Sequence, residues 1–265
     1  MLTLPLFFLA GVGYSQSAEE DRNRGSVREL YEEGALALDA GDYETALEIF
    51  QAVVEIRPAM PQVHNLIGVV NLKQGETGRA IASFLKAVEY DPKYAEGYFN
   101  LATVYMGSTG DRELAEEYYR KTIEIDPKFG RAYFGLGWLQ LLAYDNVTEA
   151  IDLFKQVIAI VPDYAEGYYG LGMAYVRADQ TELSLEPISK LRALSREDLA
   201  MKIEAAIKEG EEPFIEEPIP VSDVYAGGYP GEVPLEEEPP LPAPANLQNT
   251  AENTDSVIPL PASWE

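Results

Sequence analysis

Three twelve-residue stretches of this 265-residue chain are near-copies of one another: Ala95–Met106 (AEGYFNLATVYM), Gly130–Leu141 (GRAYFGLGWLQL) and Ala165–Val176 (AEGYYGLGMAYV). They start 35 residues apart, and a fixed period of that size means stacked supersecondary units in place of one closed core. Between the copies the apolar residues recur three and four apart, so the units are helical. Gly41-Asp42 and Gly75 interrupt that pattern inside the first and second units, and Pro58, Pro92, Pro127 and Pro162 close four of them. Each unit therefore reads as helix, turn, helix, proline, because glycine supports the turn and proline cannot continue a helix.

In chain order, Ser26-Val27-Arg28-Glu29 has the form of a capping box and opens the first unit. Its second helix is expected over Tyr43–Ile56. The units that follow run 61–94, 95–129, 130–164 and 165–194. The third carries one extra residue near Gly107–Asp111 and the fourth one before Ala150, both at the turn. The fifth begins faithfully but has Ser184 at the small position and Pro187 inside its second helix. Ser195-Arg196-Glu197-Asp198 then opens a further helix to Glu209, ending at Gly210, which is expected to give the array a polar end.

Small residues recur at Gly68, Ala102, Gly137 and Gly172, and again at Ala46, Ala80, Ala115 and Ala150. With the large residue before them, the later aromatic and the closing proline, this pattern resembles the tetratricopeptide repeat over Val27 to about Leu194. Glu33, Asn71 and Gln140 depart from it. The resemblance implies an all-α, right-handed solenoid of helix-turn-helix repeats over 26–194, with a capping helix at 195–210.

The ends are different. Residues 1–17 contain an apolar run, Leu2–Gly13, too short for a membrane span of about 20 residues. With Ser15 and Ser17 after it, the run reads as a signal peptide cleaved before Ala18, although no Lys or Arg precedes it. A short linker, 18–25, follows. The chain is then expected to be exported, periplasmic or secreted; without the signal reading it would be cytoplasmic, with residues 1–17 packed on the first unit. Residues 211–265 are rich in Pro and Glu and show no apolar period, the composition of a disordered acidic tail. The formal charge is −25, and no Lys or Arg follows Lys208. So acidic a chain repels phosphate backbones, which argues against a nucleic-acid partner.

No catalytic constellation can be assembled. Cysteine is absent and His64 is the sole histidine. It occupies the slot held by Leu30, Tyr98, Tyr133 and Tyr168 elsewhere, which makes it a packing residue. Gly135, Gly137, Gly170 and Gly172 imitate a phosphate loop in composition but lie inside expected helices with no strand before them. No cofactor or metal is expected, and the chain reads as no enzyme.

What remains is a second apolar stripe on the first helix of each unit: Asn65, then Phe99 and Thr103, then Phe134, Trp138 and Leu141, then Tyr169 and Met173. A helix apolar on two faces is covered on both. By the family resemblance this stripe lines the concave groove, and the aromatic side chains standing there do not make the cationic clamp of chaperone-tail binders. The expectation is a protein-interaction scaffold holding an apolar or aromatic-bearing segment. The alternative is a structural subunit whose stripe is covered permanently by a partner, another copy or the tail. The oligomeric state is open.

Overall fold

The computed structural model describes residues 27–209, and all of them belong to one unit of the chain; residues 1–26 and 210–265 lie outside the description, as do the signal, linker, capping-box and tail readings. Eleven α-helices and no strand occur among the described residues. In order they are α1 (27–39), α2 (Tyr43–Ile56), α3 (Pro61–Lys73), α4 (Thr77–Tyr90), α5 (Ala95–Val104), α6 (Arg112–Ile125), α7 (Gly130–Leu142), α8 (Val147–Ile160), α9 (Ala165–Arg177), α10 (Leu185–Ala193) and α11 (Glu197–Glu209). Successive helices from α2 onward pack on one another, with α3/α4, α5/α6, α7/α8 and α9/α10 as pairs and α11 resting on α9 and α10, and α1 meets α2 where Gly34 lies against Phe50. No described helix is long and apolar enough to cross a membrane.

What joins a pair is a ring against a missing side chain. Phe84 of α4 is fully buried and lies so close to Gly68 of α3 that a Cβ there would stand 2.5 Å from the ring. Phe50 with Gly34 and Phe154 with Gly137 repeat the arrangement, and Ala102 takes the same place near Tyr119. The ring also reaches the next unit. A Cβ on Gly170 of α9 would collide with Phe154, and one on Gly135 of α7 would collide with Tyr119. Each of these two rings is therefore wedged between two first helices, one of its own unit and one of the next. This is the contact by which one repeat stacks on another.

The turns inside the units follow from helix-end hydrogen bonding. The N–H of Gly75 reaches the Leu72 carbonyl and that of Glu76 the Asn71 carbonyl, with Gly75 left-handed at φ 80°. This paired closure satisfies carbonyls that the helix end leaves free. Gly41 does the same after α1, and Asp179 (φ 57°) does it after α9 without being a glycine. The two extra residues predicted from the sequence sit at these turns and are absorbed differently. In the third unit the last turn of α5 widens into a π-helical stretch, Tyr105–Thr109, ending at Gly110. In the fourth the closing bond spans one residue more, from the Asn146 N–H to the Gln140 carbonyl, with Asp145 left-handed.

One expectation at the C-terminal end is met and one needs correction. Pro187 does lie inside the second helix of the fifth unit; the chain makes a short 3-10 turn, Thr181–Ser184, and α10 begins afterwards, so that Pro187 falls in its first turn. There the missing N–H of proline has no intrahelical acceptor to lose. Ser195 does not open α11. It is left-handed (φ 60°) and closes α10 through bonds from Ser195 N–H to the Arg192 carbonyl and Arg196 N–H to the Leu191 carbonyl. α11 then starts at Glu197 and buries Leu199, Ala200 and Ile203, with Ile203 against Gly172 and with Met201, Lys202 and Glu204 exposed.

Candidate functional site

The second stripe is carried by α3, α5, α7 and α9, and the structure places most of it in the interior. Asn65, Phe99, Thr103, Phe134, Trp138, Leu141 and Met173 are all buried, between 1% and 7% exposed. Tyr169 alone is half-buried. Its C-terminal part, Phe134, Trp138 and Tyr169, is one connected set of rings, while Phe99 belongs to a separate cluster with Tyr119 and Phe129. Trp138 meets Phe134 edge-on at 6.1 Å, Phe154 at 5.2 Å and Tyr169 at 5.8 Å. Phe134 also packs on Phe154 and on Tyr164, at 6.0 and 5.5 Å. Such tilted and edge-to-face pairs contribute about 0.5–1.5 kcal/mol each beyond the area they bury.

The covering rings come from residues the sequence reading passed over. Tyr94, Phe129 and Tyr164 stand at the N-caps of α5, α7 and α9. Phe129 lies 5.0 Å from Phe99, and Tyr164 lies over Phe134. So the aromatic entering one first helix covers the stripe residue of the unit before. The signal was present as an aromatic at one repeated position in three successive units. Its meaning depended on where the loop brings it.

Polar members of the face are satisfied locally. The Asn100 side-chain amide donates to Oδ1 of the Asn65 side chain across 2.7 Å, in the interior between α3 and α5. Thr103 donates to the Phe99 carbonyl at 3.0 Å. Arg131 at the start of α7 makes two bonds to Glu96 at the start of α5, 3.0 and 2.9 Å, and its guanidinium lies 4.8 Å from the Phe99 ring and 5.0 Å from that of Phe129. Burial nevertheless holds the Glu96 carboxyl above its ordinary value, because lost solvation outweighs the arginine beside it. Glu166 of α9 and Arg196 before α11 repeat the pairing at 2.5 Å.

His64 performs the packing role predicted for it. Its Nε2 lies 2.7 Å from the Pro58 carbonyl and its ring stacks on Tyr90. Tyr133 and Tyr168 send their hydroxyls to the carbonyls of Pro127 and Pro162, at 3.3 and 3.0 Å. The histidine thus does what the tyrosines do, tying each first helix to the proline turn that precedes it. Gln140, another departure, is likewise accounted for: it is buried, donates to Glu116 at 3.1 Å and accepts from Asn146 at 3.3 Å.

The accessible remainder of the face comprises Tyr169 with Leu72, Met106 and Val176, all half-buried, and Leu142, which is 43% exposed. At its edge a cleft of about 290 Å³ opens between the α6–α7 and α8–α9 junctions, lined by Phe129, Arg131, Val157, Val161 and Tyr164 among others. That is at the lower limit for a small-molecule site, which typically measures about 300–1,000 Å³. Among the described residues no cluster of His, Asp or Glu could hold a metal ion.

Models of the tetratricopeptide repeat match residues 31–95, 67–128 and 145–179. The chain belongs to the tetratricopeptide repeat family. No curated protein matches it significantly in sequence. Among solved structures, MamA from Desulfovibrio magneticus RS-1 is similar with a TM-score of 0.56 at 19% identity, over 64% of this chain and 95% of that one. YrrB, described as a TPR protein with an unusual peptide-binding site, is similar with a TM-score of 0.54 at 20% identity, over 72% of this chain and 97% of its own. A thermophilic TPR protein of Thermus thermophilus is similar at 0.53 and 20% identity, over 69% and 99%. At this identity the structural likeness shows the fold alone.

Proposed function

We propose that this chain is a non-enzymatic interaction scaffold that holds a segment of another protein along the face of α3, α5, α7 and α9. The observation that carries the reading is the register of apolar residues on that face, which leaves Leu72, Met106, Tyr169 and Val176 accessible above buried Phe99, Phe134 and Trp138, with Leu142 exposed next to Leu141, the buried member of the register. A rigid floor with an apolar, partly exposed row suits an apolar or aromatic-bearing segment, since such anchors supply most of the energy of a protein interface. YrrB, a TPR protein with a peptide-binding site, is consistent with this use of the fold. Burial also changes which residues test it. Alanine at Trp138 would open a core cavity costing about 3–5 kcal/mol, so loss of binding would say nothing about contact.

A photo-crosslinking residue at Tyr169 or Leu142 should trap a partner that the same residue at the exposed Glu48 of α2 does not. Equal trapping from all three would refute the proposal. Phe134 and Trp138 are covered by this chain's own Phe154, Tyr164 and Tyr169, so the second reading, a structural subunit permanently covered by a partner, another copy or the tail, concerns the accessible row alone; a Tyr169 adduct present at full occupancy however the protein is purified would favour it. We also propose export, with a mature N-terminus at Ala18, because Leu2–Gly13 is followed by Ser15 and Ser17. Mass spectrometry of the mature chain tests this, and an intact Met1 would overturn it.

A further inference from the structure

The third unit carries a tyrosine cluster that no other unit has. Tyr98 on α5, Tyr105 at the start of the π-helical stretch and Tyr118 on α6 form a continuous set: Tyr105 and Tyr118 stack at 5.7 Å with their planes 26° apart, and Tyr98 lies 6.1 Å from Tyr118. All three are half-buried. None belongs to the stripe described above, and Tyr119, next to Tyr118, is the ring that faces the interior. The corresponding trios are His64, Asn71 and Ser83 in the second unit and Tyr133, Gln140 and Leu153 in the fourth. The repeat itself does not require an aromatic at all three places.

Two more features coincide here. The widened turn exposes Gly107, Ser108 and Thr109, and the Thr109 hydroxyl donates to the Tyr105 carbonyl at 3.1 Å. The cluster is also rimmed with negative charge. Burial, then Tyr105, Glu117, Tyr98 and Asp111 in that order, push the Tyr118 hydroxyl up to about 12. Glu117 is exposed, while Asp111 caps α6 through a 3.1 Å bond from the Leu114 N–H.

We propose that this cluster docks a proline-rich, cationic polypeptide segment in the polyproline II conformation. Stacked aromatic rings present flat apolar surface to pyrrolidine rings, and a polyproline II segment loses little conformational entropy on docking because it is already extended. An arginine at one end of the segment meets Glu117, whose carboxylate is free to take a planar two-point contact. An anionic proline-rich segment is excluded by the same two carboxylates.

The test is fluorescence anisotropy on the full chain with a labelled ten-residue Pro-x-x-Pro peptide ending in arginine, beside the same peptide with its prolines replaced by alanine and the same peptide with arginine replaced by glutamate. The expected result is saturable binding of the first and at least about tenfold weaker binding of the others. Tyr105→Ala should weaken the first by about fivefold or more. Glu117→Arg, on an exposed side chain that leaves the packing untouched, should reverse the preference between the arginine and glutamate peptides. No saturable binding of the first peptide, equal binding of its alanine counterpart, or an unchanged charge preference in Glu117→Arg would each overturn the proposal.

Discussion

Alanine in place of glycine should have opposite signs at two helical positions of this chain. Gly78 lies in the first turn of α4, and nothing stands within 4 Å of a Cβ built there. Gly170 lies in the middle of α9, and a Cβ built there would collide with the Phe154 ring. The backbone term favours alanine at both sites, by about 0.5–1 kcal/mol, because glycine loses more freedom on entering a helix. At Gly78 that gain stands alone. At Gly170 it is opposed by overpacking, about 1–3 kcal/mol for a methyl group forced into a filled core. Phe154 has no route of escape: it is 0% exposed, with Gly137 on one side and Trp138 and Phe134 against its faces and edges. The net expectation is a loss of about 1 kcal/mol, and at most about 2.5 kcal/mol, for Gly170→Ala and a gain of about 0.5 kcal/mol for Gly78→Ala. Urea unfolding followed by circular dichroism measures both, with the slope checked because repeat arrays need not unfold in one step. If Gly170→Ala were as stable as the parent chain, the wedging of Phe154 between two units would be refuted as the basis of stacking.

Other substitutions probe other joints. His64→Phe should cost about 1 kcal/mol by leaving the Pro58 carbonyl without its donor, whereas His64→Tyr should restore most of the stability, as Tyr133 and Tyr168 make the equivalent bond. Thermal unfolding of the two variants separates them, and equal losses would remove the tie from the account. Asp179→Gly should stabilise the chain by about 0.5–1 kcal/mol, because Asp179 is left-handed and exposed and glycine carries no steric penalty there; a loss in urea midpoint would contradict this. The Glu96 carboxyl is raised above 4.5 by burial, so its contribution to stability is fully present below the unfolded value and declines as pH rises through the higher folded value. Relative to Glu96→Gln, the parent chain should therefore gain stability as pH is lowered toward that range, and a gap independent of pH would refute the shift.

The sequence alone carried the period, the helix pairs and the positions of the ring and small residue that join them, since each is a local pattern that recurs at one interval. Gly68 and Phe84, or Gly137 and Phe154, are visible as partners because the repeat states the same pairing several times. It also placed the two extra residues at turns and read His64 as packing. The tertiary structure decided which residues of the second face remain accessible. Phe134 and Trp138 have the same helical spacing whether a ring from the next loop lies over them or not, and only the path from Phe129 to α7 and from Tyr164 to α9 brings those rings back onto the preceding unit. The fate of the departures was likewise set in three dimensions. Gln140 is explained by Glu116 and Asn146, and Asn65 by Asn100, through hydrogen bonds that satisfy buried polar groups and that no spacing along the chain encodes.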